Sequence, residues 1–265
     1  MDRIKLPKET TLGGIVLGIL IPGLAVYIRG PRLWGKIALS ACAILFLLFI
    51  ILLGYPSGNL AFGFLISIHG SGFAYYCSPV LREKEFFARI GYTLALVVAF
   101  GLLFYMPLRS IIQYRWLLPM SRNGHVVILE KSASAGSVKR GEWILYSLPG
   151  REAGNPHREG GAVWVQSGFG FGPVLATAGD RVSFGTKSFA VNGVERLRLP
   201  HMPQGGDLIV PEKNWFIWPE FGISGHGNTS EAVISATMLQ LATVPEDQFV
   251  SKPFKRWFWR EQIFQ

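Results

Sequence analysis

Cysteine is nearly absent from this chain, and charge is scarce. Only two cysteines occur in 265 residues; Cys42 lies inside one apolar run and Cys77 closes another. A disulfide framework is therefore excluded, and nothing points to a thiol site. Charged residues make up 16% of the chain, with 17 Asp and Glu against 26 Lys and Arg, for a net charge of +9. That excess forms no long basic tract. It sits at the ends of apolar segments and in the C-terminal tail, the distribution of a membrane protein, so nucleic acid is not expected as a partner. The histidines His125, His157 and His201 are scattered without metal-ligand spacing, so neither a metal nor a cofactor is expected. No internal repeat with a period of roughly 20–50 residues is visible.

What the sequence does hold is unevenly placed. Apolar residues are 49% of the chain, and the long uncharged runs fall before residue 108. Four segments approach the roughly 17–25 residues needed to span a bilayer: Thr11–Ile28, Leu33–Gly54, Leu60–Tyr76 and Ile90–Met106. The first and third are rich in Gly, which suits helices packed closely inside a bundle. The first lacks a small-x-small cleavage site and is followed by further spans, so it is expected to remain in place. The sequence therefore predicts a four-helix membrane domain over residues 1–106 and a separate domain over 107–265.

Loop charge sets the expected orientation. The first loop carries Arg29 and Arg32, with Lys36 just beyond, and the third carries Arg82, Lys84 and Arg89. The second loop, from Tyr55 to Asn59, carries none. Short basic loops stay cytoplasmic, which places both termini and the C-terminal domain on the outer, periplasmic face of a bacterial inner membrane. Arg3, Lys5 and Lys8 of the N-terminal tail argue the other way and are outweighed. His69, in the third segment, is the ionisable residue at membrane depth. Beside Gly70, Ser71 and Gly72 it is expected to be a neutral histidine hydrogen-bonded within the bundle.

After Pro107 the hydrophobic period changes. HVVILE, EWILYSL, AVWVQSG, DRVSFG, SFAVNG, DLIVP and NWFIWP are short, β-branched and aromatic, and bounded by Gly, Pro and Asn. They read as strands of a mainly-β sandwich or barrel. Pro149–Ala162 reads as a loop, and the stretch from Asn228 as a short helix capped by Asn228 or Thr229 with Glu231 near its start. Asp180 is expected to cap its turn through its side chain, and Gly193 to supply the positive φ of an Asn-Gly hairpin.

Several of these pieces, in order, resemble the bacterial type I signal peptidases, membrane-anchored serine peptidases of the S26 family. GHVVILEKSASAGSVKRGEWILYSL is similar to the family's strand after the nucleophile and its Lys-Arg-Gly-Asp strand, with Glu142 where Asp is usual. AGDRVSFGTKSFAVNG is similar to its Pro-Gly-Asp turn and following hairpin. VPEKNWFIW resembles the strand leading to its Gly-Asp-Asn motif, and VPEDQFVSKPFKRWFW its closing strand and aromatic tail. The resemblance covers roughly residues 107 to 260 and implies a signal-peptidase-like β fold. In the membrane half, PGLAVYIRGPRLWG is similar to the tight basic hairpin of small two-helix membrane modules, which implies no chemistry.

The resemblance also implies a serine nucleophile and a desolvated lysine base, and here both positions are empty. On the family's spacing the serine position is Trp116 and the lysine position is Gly172. GFGFGPVLATAGD holds no lysine, and PEFGISGHGNTSEA lacks the aspartate and arginine of the third motif. The expected protein is therefore a non-catalytic relative that binds extended peptide by strand addition or serves as a subunit of a membrane assembly. The alternative is an active peptidase with a rearranged pair, Ser121 with Lys139 or Lys131. A hydrolytic triad of His226 with Ser224 and Glu220 or Glu231 is a weaker possibility, for want of any orienting motif. The tail, with Phe254, Lys255, Arg256, Trp257, Phe258, Trp259 and Arg260, is expected to contact the lipid bilayer, because Trp favours the headgroup level and Lys and Arg reach phosphates. Packing of the tail into the domain or into a partner subunit is the other outcome.

Overall fold

The computed structural model describes residues 11–81, 84–154, 162–220 and 230–264. The chain divides into two compact units, Met1–Ile128 with Arg256–Gln262, and Leu129–Lys255 with Ile263–Gln265. The division thus falls beyond the 106/107 boundary expected from hydropathy, and Arg256–Gln262 of the tail belong to the first unit.

The first unit is built on apolar helices. Helix α1 (Leu12–Leu20) starts where the Thr11 hydroxyl accepts a hydrogen bond from the Gly14 N–H at 3.1 Å. It stops at Ile21, because Pro22 has no N–H to continue the ladder and Gly23 turns the backbone with φ 84°. Helix α2 (Leu24–Arg29) follows. The expected single span Thr11–Ile28 is therefore two short helices. Helix α3 (Arg32–Ile51) has 20 residues, about 30 Å of helix, and a mean hydropathy of 2.3. Helix α4 (Pro56–Tyr76) has 21 residues, but its Gly, Ser, Asn and His content keeps it from counting as a span on hydropathy. Its side chains are buried on several sides, Leu65 and Tyr76 almost completely, as befits a helix packed between neighbours. A short turn, α5 (Ser78–Leu81), precedes the longest helix, α6 (Phe86–Trp116), of 31 residues. Among the described residues α3 and α6 are the two helices long and apolar enough to cross a membrane, where four spans were expected.

Helix α6 also corrects the expected end at Met106. It runs through Pro107 because residues Gly101–Tyr105 form a π-helical turn. The widened turn relieves the clash of the pyrrolidine ring with the preceding carbonyls, which would otherwise break the helix. A second π turn, Ile112–Trp116, ends it.

Helix α4 packs against both α3 and α6. Phe49 and Phe62 stack with ring centroids 4.4 Å apart, and Phe62 meets Tyr105 edge-on at 5.5 Å. Where α2 approaches α3, Gly35 permits the contact: a Cβ there would lie 2.3 Å from the Tyr27 Cα. Gly35→Ala is expected to force these helices apart and cost about 1–3 kcal/mol, the usual range for overpacking. Gly63→Ala, where nothing lies within 4 Å, is expected to be neutral. Thermal unfolding of both variants in detergent micelles checks the contrast; equal midpoints would contradict it.

After Trp116 the chain forms a hairpin that hydropathy did not suggest. Strand β1 (Leu117–Arg122) and β2 (His125–Glu130) are neighbours in a sheet. Asn123 and Gly124 join them with φ of 48° and 79°, the two positive values of a type I′ turn.

The second unit is mainly β, as expected. Its strands are β3 (Trp143–Leu148), β4 (Arg151–Gly154), β5 (Ala162–Val165), β6 (Gly168–Pro173), β7 (Ala176–Thr177), β8 (Arg181–Phe184), β9 (Ser188–Val191), β10 (Val194–Leu197), β11 (Gly206–Ile209), β12 (Asn214–Phe216), β13 (Thr243–Pro245) and β14 (Phe249–Pro253). The end of β2, β14, β3 and β6 pair antiparallel in that order. Strands β10-β9-β8-β11 form a second sheet, β13-β12-β7 a third and β4-β5 a hairpin. Strand β4 lies where a loop was expected; residues 155–161 of that stretch lie outside the described residues. Helix α7 (Glu231–Ala242) begins after Ser230, which is the N-cap instead of Asn228 or Thr229.

Among the described residues two apolar clusters hold this unit. One gathers Val182, Phe184, Phe189, Val191, Phe216 and Trp218 under Met238 of α7. The other gathers Ile144, Tyr146, Val174, Trp215, Ile217 and Leu241. Each fully buried large side chain stabilises by roughly 1.5–3 kcal/mol, so Leu241 and Met238 fix α7 against both clusters.

The last element belongs to the first unit. Strands β15 (Arg256–Trp257) and β16 (Arg260–Glu261) make a two-residue hairpin with Phe258 and Trp259 at its turn.

Candidate functional site

The Gly-Asp-Arg-Val stretch, followed by Val-Asn-Gly, is a structural junction. Thr177 to Asp180 form a turn closed by the Asp180 N–H on the Thr177 carbonyl at 3.0 Å. Gly179, at φ 81°, supplies the positive φ this turn requires. The Asp180 carboxylate then reaches back. It accepts from the Thr177 N–H at 2.7 Å and the Thr177 hydroxyl at 2.9 Å on one oxygen. Its other oxygen accepts from the Asn192 amide at 2.8 Å and pairs with Arg140 at 2.5 Å. Asn192 in turn accepts the Arg181 N–H at 2.8 Å and forms, with Gly193, the hairpin turn between β9 and β10 at φ 50° and 81°. Burial alone would raise the Asp180 pKa. The Thr177 N–H, Asn192, the Thr177 hydroxyl and Arg140 outweigh it and bring it down to about 2. The carboxylate is ionised and fully engaged, a brace and not a reacting group.

The same construction recurs at Lys139 to Glu142. There the Glu142 carboxylate accepts the Lys139 N–H at 3.0 Å, and Gly141 and Glu142 exchange backbone bonds with Val174 as Gly179 and Asp180 do with Val210. Glu142 in place of aspartate thus keeps the turn. The recurrence is a structural echo that no repeat in the sequence announced.

The residues expected to carry chemistry lie apart. Gly172 is buried on β6, paired with Ile144 of β3. A Cβ built on it would lie 2.9 Å from Ile217 Cγ2. Beside it, the Tyr146 ring lies over Gly170 so closely that a Cβ there would overlap the ring. Burial, and then the negative charge of Glu220, push the Tyr146 phenol up to about 12, so it stays neutral. Trp116 ends α6 and is 58% exposed. Ser121 is exposed on β1 in the first unit, whereas Lys131 and Lys139 belong to the second. Lys131 is half-buried in the turn after β2, and Lys139 is exposed in the Gly141 turn. Ser224 and His226 lie outside the described residues, and Glu231 is engaged elsewhere, its carboxylate 2.9 Å from His201 Nδ1. Among the described residues no group of three His, Cys, Asp or Glu side chains is placed to hold a metal ion.

His69 is buried and hydrogen-bonded on both ring nitrogens, as its setting suggested. Nδ1 is 2.8 Å from the Tyr105 hydroxyl and Nε2 is 2.9 Å from the Gly18 carbonyl. The reason lies four residues along α1. The Gly18 carbonyl would take the N–H of residue 22, and residue 22 is proline. His69 supplies the missing donor, so Nε2 carries the proton and Nδ1 accepts from Tyr105. An apolar cavity of about 580 Å³ lies alongside, lined by Pro22, Cys42, Phe46 and Phe104 among others.

The tail divides between the units. Phe254 and Lys255 line a cavity of about 430 Å³ with Arg140, Glu142 and Trp143 in the second unit. In the first unit Trp257 turns inward, its indole N–H donating to the Ile50 and Ile51 carbonyls at 3.2 and 3.1 Å. Arg260 lies 4.8 Å over the Tyr55 ring. Gln262 brackets Ile128, its Oε1 accepting the N–H at 2.5 Å and its Nε2 donating to the carbonyl at 3.2 Å. Phe258 and Trp259 are 47% and 78% exposed. The tail, expected to act as one aromatic stretch, splits between the units at Lys255 and Arg256, and the two-residue turn after Trp257 sets the inward ring apart from Phe258 and Trp259.

No protein-family model and no curated protein matches this chain.

Proposed function

We propose that this chain is a multi-pass membrane protein whose second unit is a non-catalytic relative of the type I signal peptidases, acting as a peptide-binding or structural subunit of a membrane assembly. The observation that carries the proposal is Gly172. The position that the resemblance assigns to the general-base lysine is a buried glycine with Ile217 packed over it. A lysine base acts near neutral pH only when an apolar wall desolvates its amine. Here the apolar wall is present and the side chain is not.

Peptide binding needs no nucleophile. Strand β6 ends its sheet among the described residues, paired antiparallel with β3 on one side. An extended segment adding to that edge would bind through backbone hydrogen bonds. The exposed Phe169 on β6 offers a side-chain contact.

For orientation, the basic first loop and the end of α4 share one end of the first unit: Arg29 donates to the Tyr76 carbonyl at 2.7 Å. The uncharged second loop and the tail hairpin share another, through Trp257 and the Ile50 and Ile51 carbonyls. With the basic end cytoplasmic, the tail hairpin faces the periplasm.

The full chain in detergent micelles is expected to leave a preprotein uncleaved, and Ser121→Ala is expected to change nothing. A labelled signal-peptide segment is expected to bind the full chain equally with and without Ser121, and more weakly after Phe169→Asp. Cleavage that disappears in Ser121→Ala would replace this reading with an active peptidase using Ser121 and Lys139 or Lys131.

A further inference from the structure

We propose that the Phe258–Trp259 turn is a lipid-contacting tip, held at the headgroup layer by its neighbour Trp257. The depth follows from α3. Its 20 residues make about 30 Å of helix, the thickness of a bilayer's hydrocarbon core, so its last residues lie at the boundary with the headgroups. The carbonyls of Ile50 and Ile51 lie at the C-terminal end of α3, where the Leu53 N–H also reaches Ile50 at 3.3 Å, and Trp257 donates to both. That hydrogen bond fixes the hairpin at the depth where α3 ends. Arg260 over Tyr55, in the loop that follows α3, fixes it a second time.

The turn itself is built against ordinary hairpin preference. A two-residue turn on a watery surface takes Gly, Asn or Asp where φ is positive. Here Phe258 holds φ 54° and Trp259 follows it, both turned outward. A bulky side chain in the left-handed region is strained. Phe258 meets Trp257 edge-on at 5.2 Å and Trp259 at 6.0 Å, and the exposed faces of Phe258 and Trp259 add nothing to the core of the unit. The turn places an indole and a phenyl ring at the depth where such rings partition best. The exposed Arg256, in the strand that leads into the turn, suits the phosphates of an anionic leaflet. The occupant is therefore the interfacial layer of the bilayer.

The inference rests on the membrane reading of α3, and the experiment separates the two. The full chain is placed in nanodiscs of phosphatidylcholine and phosphatidylglycerol whose acyl chains are brominated either close to the glycerol or near the chain end. The emission lost in Trp259→Leu gives the Trp259 component, and Trp34→Leu gives the component from the exposed ring at the start of α3. Both positions are exposed, so neither change removes packing. Trp259 is expected to be quenched several-fold more by the shallow bromines than by the deep ones, and to be shielded from aqueous iodide. Quenching of Trp34 without quenching of Trp259 would overturn the tip and leave the spanning helix. Absence of quenching at both would remove the membrane reading with it. Trp259 shielded from bromine and iodide alike would assign the tip to a protein partner and equally overturn the proposal.

Discussion

Replacing Asp180 with Ala is expected to destabilise the second unit by about 3 kcal/mol, a loss of roughly 10 °C in its unfolding midpoint. Asp180 is 8% exposed, and its carboxylate accepts hydrogen bonds from one backbone N–H and three side-chain groups. Removing the carboxylate leaves the Thr177 N–H and the Asn192 amide without acceptors, and Arg140 without its counter-ion. Hydrogen bonds to a charged group contribute about 1.5–3 kcal/mol, and orphaned donors add a desolvation penalty. Asp180→Asn keeps the shape and one acceptor but loses the charge, and is expected to fall between the two. The measurement is thermal unfolding of the full chain in micelles, followed by the emission of the buried Trp215 and Trp218. A loss confined to a few tenths of a kcal/mol in Asp180→Ala would show that the junction does not hold the sheets.

The same carboxylate makes stability depend on acid. Its pKa falls from the ordinary 3.8 to about 2 on folding. A depressed folded-state pKa gives stability that is present above the unfolded value and lost as pH falls through the folded one. The shift corresponds to about 2 kcal/mol at 1.36 kcal/mol per unit, present above pH 4 and lost between there and pH 2. The difference in stability between the parent and Asp180→Asn should therefore shrink over that window. A constant difference down to pH 2 would assign the stabilisation to shape alone.

Much of the second unit is legible in the sequence because strands and tight turns are local. Alternating Val, Ile, Phe and Trp between Gly, Pro and Asn marks β8 and β9, and Asn192-Gly193 fixes their neighbour β10. The β1–β2 hairpin carries the same Asn-Gly signal at Asn123-Gly124, but its first strand reads as the end of an apolar run and so passes unseen. The helices are legible only in part, because hydropathy counts side chains and not hydrogen bonds. It joins α1 to α2 across Pro22, where the backbone cannot continue. It ends α6 at Pro107, where a π turn lets the backbone continue. The place of His69 depends on a distant carbonyl whose donor proline removes, and that of Trp257 on carbonyls at the end of a distant helix, and no local pattern carries either. Gly172 is the reverse case. Its emptiness is plain in the sequence, but the Ile217 methyl that closes it comes from the residue after β12, far along the chain.

His69 is where the expected effect on the first unit is largest. In His69→Leu the Gly18 carbonyl and the Tyr105 hydroxyl both lose their partner inside the bundle, where no water replaces it. An orphaned polar group costs about 1–3 kcal/mol by mutational measures, and more against hydrocarbon. About 3 kcal/mol or more is therefore expected for the pair, read as thermal unfolding in micelles. His69→Gln is expected to recover much of it, because one amide can donate to Gly18 and accept from Tyr105. Tyr105→Phe removes a single bond and should cost about 1–2 kcal/mol. The decisive comparison uses Pro22→Ala. Alanine at position 22 restores an N–H in reach of the Gly18 carbonyl, so that carbonyl no longer needs the imidazole. The penalty of His69→Leu should then be smaller by about 1 kcal/mol in the Pro22→Ala background than in the parent, a coupling that a double-mutant cycle measures directly. Strict additivity would mean that His69 is held by its packing against Phe100, 4.3 Å between ring centroids, and does not stand in for the donor that proline removed.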